Sequence, residues 1–156
     1  AGLMITKAGP QVVEFNCRFG DPETQVILPR LQSDFYTILA KTVAGELEGM
    51  ELEWDPRLAL CVILASGGYP GDYQVGYPIE GLEAAAAMED VIIFHAGTTR
   101  RGGQIATDGG RVLGITALGD DLAGAARRSY EACDLVRFEN CYFRKDIGRR
   151  EEGIHR

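Results

Sequence analysis

The sequence predicts an α+β fold, and three observations carry that prediction. Short apolar strand candidates are bounded by glycine-rich turns, two stretches show helical periodicity, and strands run together with helices laid on one side. The chain has 156 residues, 46% hydrophobic and 25% charged. That is a soluble globular composition, long enough for one good core with a small appendage.

The elements follow in order. Gly2–Thr6 and Gln11–Asn16 flank the breaker-rich Lys7-Ala8-Gly9-Pro10, which predicts a β-hairpin. Glu23–Gln32 predicts a helix that Pro29 ends or kinks. Asp34–Ala44 predicts a second helix, with Phe35, Ile38, Leu39 and Val43 near helical spacing and Ser33 as its cap. Gly45 and Gly49 break that pattern, and the charged connector Glu46 to Asp55 sets a domain boundary near residue 50. Leu58–Ala65 then predicts a buried strand, and Gly67 to Gly76 a long shaped loop. Leu82–Glu89 is a short Ala-rich helix and Val91–His95 a strand. Gln104–Thr107 and Arg111–Leu118 are expected to pair around Asp108-Gly109-Gly110. Asp121–Leu135 is an amphipathic helix with Leu122, Ala126, Tyr130 and Cys133 on one stripe, and Val136–Phe143 a closing strand.

Charge and cysteine usage exclude several function classes. A formal charge of −7 argues against nucleic acid as a partner, because a phosphate-tracking surface needs a basic excess. The longest apolar run, Leu58 to Ala65, falls far short of the ~20 residues that span a bilayer, so no membrane partner is expected. No secretory signal opens the chain. Cys17, Cys61, Cys133 and Cys141 have no CxxC spacing and read as small core residues in a reducing compartment, which points to the cytoplasm. There is no Walker A motif, no GxGxxG before a helix and no Ser–His–Asp set.

The chemistry concentrates in Val12 to Gln25. If residues 12–18 form a strand, its period of two puts Glu14, Asn16 and Arg18 on one face and Val13, Phe15 and Cys17 toward the core. A carboxylate and an amide oxygen beside a cation suit Mg²⁺ held against nucleotide phosphates. Gly20 frees the backbone, and Asp21 is placed to cap a helix that starts at Pro22, with Glu23 in its first turn. A solvated strand face followed by an ordinary capped helix is the bland alternative.

The wording of that run favours the first. Glu14-Phe15-Asn16-Cys17-Arg18-Phe19-Gly20-Asp21-Pro22-Glu23-Thr24-Gln25 resembles the signature of the phosphoribosylamine–glycine ligase family, ATP-grasp enzymes of purine biosynthesis. Four further islands continue the resemblance in order: Ala65 to Tyr73, Ile93 to Thr98, Gly109 to Leu113 and Phe143 to Gly148. The resemblance covers only the C-terminal portion of such an enzyme. It implies that residues 1–50 are the end of an ATP-grasp domain and 51–156 a small antiparallel-sheet C-terminal domain with a packed helix. The chain opens on Ala1-Gly2-Leu3 directly as a strand, so it is expected to be a fragment whose upstream part holds the lid and most nucleotide contacts.

The resemblance also implies roles. Glu14 and Asn16 are expected to grip Mg²⁺ (or Mn²⁺), with ATP as co-substrate and glycine and 5-phosphoribosylamine as the joined partners. Many ATP-grasp relatives carry a second carboxylate on the preceding strand, where this chain has Gly2. Arg18 is expected to stabilise the phosphoryl group in flight, or else to pair with Glu23. Asp21 is expected to orient the incoming amine, cap a helix, or do both. Arg111 with Gly110 is expected to receive the ribose phosphate, although an Asp-Gly-Gly hairpin needs no ligand. Arg100, Arg101, Arg144 and Lys145 are weaker candidates for that role. Met4 reads either as an apolar floor under adenine or as core packing. His95 reads as a structural histidine and His155 as an inert tail residue. Rival readings are another ATP-grasp ligase or carboxylase, and a non-catalytic stand-alone module.

Overall fold

The computed structural model describes residues 2–149; His155 lies outside them. The chain begins with the expected hairpin, β1 (Gly2–Thr6) and β2 (Gly9–Glu14), antiparallel around Lys7-Ala8. β2 stops at Glu14, so the strand does not run on to residue 18. The alternate face is not core in this chain either. Val13 is 66% exposed and Phe15 78%, and Cys17 is exposed. The described residues contain nothing that covers that face.

Helix α1 is a single turn, Thr24–Ile27, followed by a 3₁₀ turn over Leu28–Arg30 that contains Pro29. Asp21 is not its cap: Glu23 holds the cap position, and the Glu23 carboxylate instead accepts from the Gly20 amide at 2.7 Å. Helix α2 spans Phe35–Ala44. Its cap is Asp34 rather than Ser33, the carboxylate accepting from the Thr37 amide at 2.7 Å and the Thr37 hydroxyl at 2.6 Å. Ser33 accepts from the Glu53 amide at 2.7 Å instead.

The main body is a four-stranded antiparallel sheet in the order β4-β7-β3-β8. Its strands are β3 (Leu58–Ser66), β4 (Val91–His95), β7 (Arg111–Gly119) and β8 (Cys141–Tyr142). β7 is buried along nearly its whole length, the reading expected of a strand covered on both faces. One cover is α4 (Leu122–Leu135), capped by Asp121, which buries Ala125, Ser129, Ala132 and Cys133 against the sheet. The predicted stripe is therefore centred one position off: only Cys133 of it is fully buried, while Leu122, Ala126 and Tyr130 lie at the core's margin. The other cover is the segment around α1, where the Thr116 hydroxyl of β7 donates to the Gln25 carbonyl at 2.9 Å. Short helix α3 (Leu82–Ala86) packs beside α4 and β4.

One predicted pairing and one predicted strand are corrected. Gln104–Thr107 (β6) pairs with β5 (Thr98–Arg101), not with β7. The turn between them is Gly102-Gly103, with φ of 56° and 85°, the left-handed pair that a two-residue hairpin turn requires. Asp108-Gly109-Gly110 is instead a close-packed crossing. A Cβ on Gly97 would come within 2.7 Å of Gly109, and one on Gly110 would run into the Tyr69 ring. The closing strand is also shorter than expected. Only Cys141–Tyr142 joins the sheet, and Arg137 makes an isolated bridge to Glu80.

The two halves are stitched together across the connector. The Gln32 amide donates to the Glu53 carbonyl at 2.9 Å, and the Asp55 amide to the Arg30 carbonyl at 2.7 Å. The buried Asp55 carboxylate is bound by Arg57 at 2.7 Å, and Arg57 also pairs with Asp90 at 2.7 Å. Among the described residues no helix is long and apolar enough to cross a membrane.

Candidate active site

A cleft of about 690 Å³ opens between the end of the first hairpin and the sheet. Gly2, Glu14, Asn16, Arg18, Asp21 and Arg111 are among the residues that line it. Five of the sequence-predicted site residues thus meet in one place, although Arg111 is 90 residues from Asp21 in the chain.

Glu14 ends β2 opposite Gly2, and its Oε1 accepts from Asn16 Nδ2 at 3.0 Å. Their oxygens are exposed, and the strand neighbour is a glycine that adds no third ligand. No cluster of three or more His, Cys, Asp or Glu side chains placed to hold a metal occurs among the described residues. A pair of hard oxygen donors beside open cleft volume fits Mg²⁺, which keeps several waters and takes further oxygens from substrate phosphates. It does not fit an all-protein cage.

Arg18 donates to the Phe19 carbonyl at 3.1 Å and makes no ion pair with Glu23. Asp21 is the hub of the cleft. Its Oδ2 accepts from Arg111 Nη2 at 2.8 Å, its carbonyl from Arg111 Nη1 at 3.2 Å, and its Oδ1 from Gln25 Nε2 at 2.9 Å. The guanidinium of the sheet strand thereby holds both ends of one residue in the signature run.

The remaining candidates stand apart from the cleft lining. Met4 is exposed on β1, paired with Gln11. Gly110 lies under Tyr69, and its carbonyl accepts from the Ser66 amide at 2.8 Å. Arg101 faces Asp108 at 3.6 Å and Arg144 is paired with Asp146 at 2.6 Å. His95 meets the Thr98 hydroxyl at 3.0 Å, a local structural contact. Three of the sequence islands converge beside Arg111: Ser66 donates to the Gly109 carbonyl at 2.8 Å, and the Gly97 amide to the Arg111 carbonyl at 2.8 Å. Sequence reasoning missed Gln25. Its signal was only its place in the signature run.

The comparisons with known proteins follow the same division of the chain. The family model described as phosphoribosylglycinamide synthetase, C domain, matches residues 59–150, and that of the synthetase's ATP-grasp (A) domain matches residues 1–24. The chain belongs to the phosphoribosylglycinamide synthetase family. Among its synthetase relatives, the phosphoribosylamine–glycine ligase of Caldanaerobacter subterraneus is 51% identical over 147 residues, covering 94% of this chain and 34% of the relative. That of Pseudomonas aeruginosa is 51% identical over 151 residues, covering 96% and 35%. The crystal structure of the phosphoribosylamine–glycine ligase from Thermotoga maritima superposes with a TM-score of 0.78 at 34% identity, over 94% of this chain and 35% of that one. The chain spans about a third of the length of the synthetase relatives it matches.

Proposed function

We propose that this chain is the C-terminal portion of an ATP-dependent ligase. The reaction joins glycine to 5-phosphoribosylamine and gives glycinamide ribonucleotide, ADP and phosphate. The observation that carries the reading is the shared cleft: Glu14, Asn16, Arg18 and Asp21 from the ATP-grasp segment face Arg111 from the C domain.

A free carboxylate is a poor electrophile, so glycine is first phosphorylated by ATP; the ribosylamine nitrogen then attacks the acyl carbon and phosphate leaves. Such chemistry asks the protein for position and fixed charge rather than a nucleophile of its own. Arg18 supplies positive charge to the phosphoryl oxygens. The Asp21 carboxylate orients the attacking amine and favours the charge that develops on it. Arg111, held by Asp21, has guanidinium donors left for the ribose phosphate, with the Gly110 backbone beside it. A Mg²⁺ or Mn²⁺ held by Glu14 and Asn16 would neutralise the nucleotide phosphates. Met4, exposed on β1 outside this cleft, would join an apolar floor under adenine that the N-terminal part completes. The lid and most of the ATP cleft come from the N-terminal part of the same enzyme, working in the cytoplasm.

The test is ADP release that requires both glycine and phosphoribosylamine. The full-length protein carrying this segment is expected to show it, and the 156-residue chain alone is expected to release none. Activity with another carboxylate in place of glycine would assign the chain to a different ATP-grasp ligase.

A further inference from the structure

Gln25 is the one residue whose side chain carries a buried, unpartnered polar atom among the described residues: its Oε1 has no hydrogen-bond partner. A buried acceptor left unpaired is rare and calls for an explanation. Turning the amide over would not help, because it would set an amide oxygen against the Asp21 carboxylate, where Nε2 now donates at 2.9 Å. The amide is thus committed to Asp21 at the expense of its own oxygen.

The backbone of Gln25 is fixed as well. Its carbonyl accepts from the Thr116 hydroxyl at 2.9 Å, and Thr116 is fully buried on β7, the strand that also carries Arg111. One strand therefore anchors both groups that grip Asp21: Arg111 takes Oδ2 and the carbonyl, and Gln25 takes Oδ1. A carboxylate held through both oxygens has one orientation in the cleft. Without Gln25 the carboxylate keeps only its Oδ2 contact with Arg111, and the second oxygen no longer holds it against rotation about the Cβ–Cγ bond.

We propose that Gln25 is a positioning residue that, through Thr116, fixes the Asp21–Arg111 pair for catalysis. The kinetic part of this inference rests on the ligase reading; the structural part does not. Two variants separate donation from packing: Gln25→Ala removes the side chain, and Gln25→Met fills the space without a donor. The probe is phenylglyoxal, with modification of each arginine of the chain followed by mass spectrometry. Arg111 is expected to react roughly three- to tenfold faster in both variants, since a hydrogen bond to a charged group is lost in a partly exposed setting. Arg57, in the Asp55–Asp90 network, serves as the internal control and is expected to stay unchanged. In the full-length ligase both variants are expected to lose about tenfold in kcat/KM for phosphoribosylamine with the KM for ATP unmoved.

An unchanged Arg111 rate, full rescue by Met, or an equal rise at Arg57 would each overturn the proposal, the last by showing general loosening. If the wild-type protein shows no ligase activity, the ligase reading fails, while the modification rates still decide the role of Gln25.

Discussion

Replacing Arg111 by alanine separates a structural arginine from a working one. Its contact with Asp21 is short, 2.8 Å, but the side chains are 40% and 54% exposed. An ion pair at that exposure is worth about 0.2–1 kcal/mol, because water screens the attraction and two long side chains must be ordered. The second bond, to the Asp21 carbonyl at 3.2 Å, adds on the order of 0.5 kcal/mol. Arg111→Ala should therefore cost the chain only about 1 kcal/mol in a urea unfolding curve. A guanidinium that meets a phosphate contributes about 1.5–3 kcal/mol, which is roughly ten- to hundredfold in binding. In the full-length ligase the KM for phosphoribosylamine should rise by that factor and the KM for ATP far less. Lysine should rescue in part, since it keeps the charge but loses the fork. A stability loss of about 3 kcal/mol or more with equal losses toward both substrates would make Arg111 a structural residue and not a phosphate ligand. No loss at all would place the phosphate grip elsewhere.

Three further outcomes follow from the fold. Arg57 holds the Asp55 carboxyl down to about 2, against an ordinary 3.8. A depressed pKa gives stability that is present above the unfolded value and lost as pH falls through the folded one. The chain should therefore lose stability between about pH 4 and pH 2, and Asp55→Asn should lower the melting temperature at pH 7 and flatten that slope. Leu64 is fully buried between sheet and helix, so Leu64→Ala should cost about 2–5 kcal/mol in urea unfolding, with a value below 1 arguing against the packing described. Burial pushes the Cys141 thiol up to about 11 and the Cys133 thiol higher still, whereas Cys17 is exposed. Iodoacetamide at pH 8 should label Cys17 first and Cys133 last, because the thiolate is the nucleophile.

Much of this was legible in the residues, and the misses have physical causes. The long apolar strand Leu58–Ser66 and the helix over Leu122–Leu135 announce themselves because burial demands a continuous apolar run or a helical stripe. Strand Thr98–Arg101 does not: it is short, polar and half exposed, and its only signal is the Gly102-Gly103 turn after it. Gly109-Gly110 looks identical on paper, yet those glycines serve close approach to Gly97 and Tyr69 rather than a turn. Glu14, Asn16, Arg18 and Asp21 lie within eight residues, so one local motif reveals them. The reach of Arg111 to Asp21 depends on how β7 is set in the sheet, which no local pattern encodes. The alternation in Val13, Phe15 and Cys17 suggests a buried face, but alternation reports only that two faces differ, not what covers either.

Glu14 and Asn16 are proposed as the metal-gripping end of a ligase cleft. The most direct measurement is the Mg²⁺ dependence of glycine- and phosphoribosylamine-dependent ADP release in the full-length enzyme, wild type against Glu14→Gln. The glutamine keeps the shape and the contact with Asn16 but removes the charge that draws a hard cation. Turnover should fall at least about tenfold and half-saturation should move to higher Mg²⁺, since a charged contact of about 1.5–3 kcal/mol is lost. A variant with wild-type turnover and an unchanged Mg²⁺ curve would contradict that assignment.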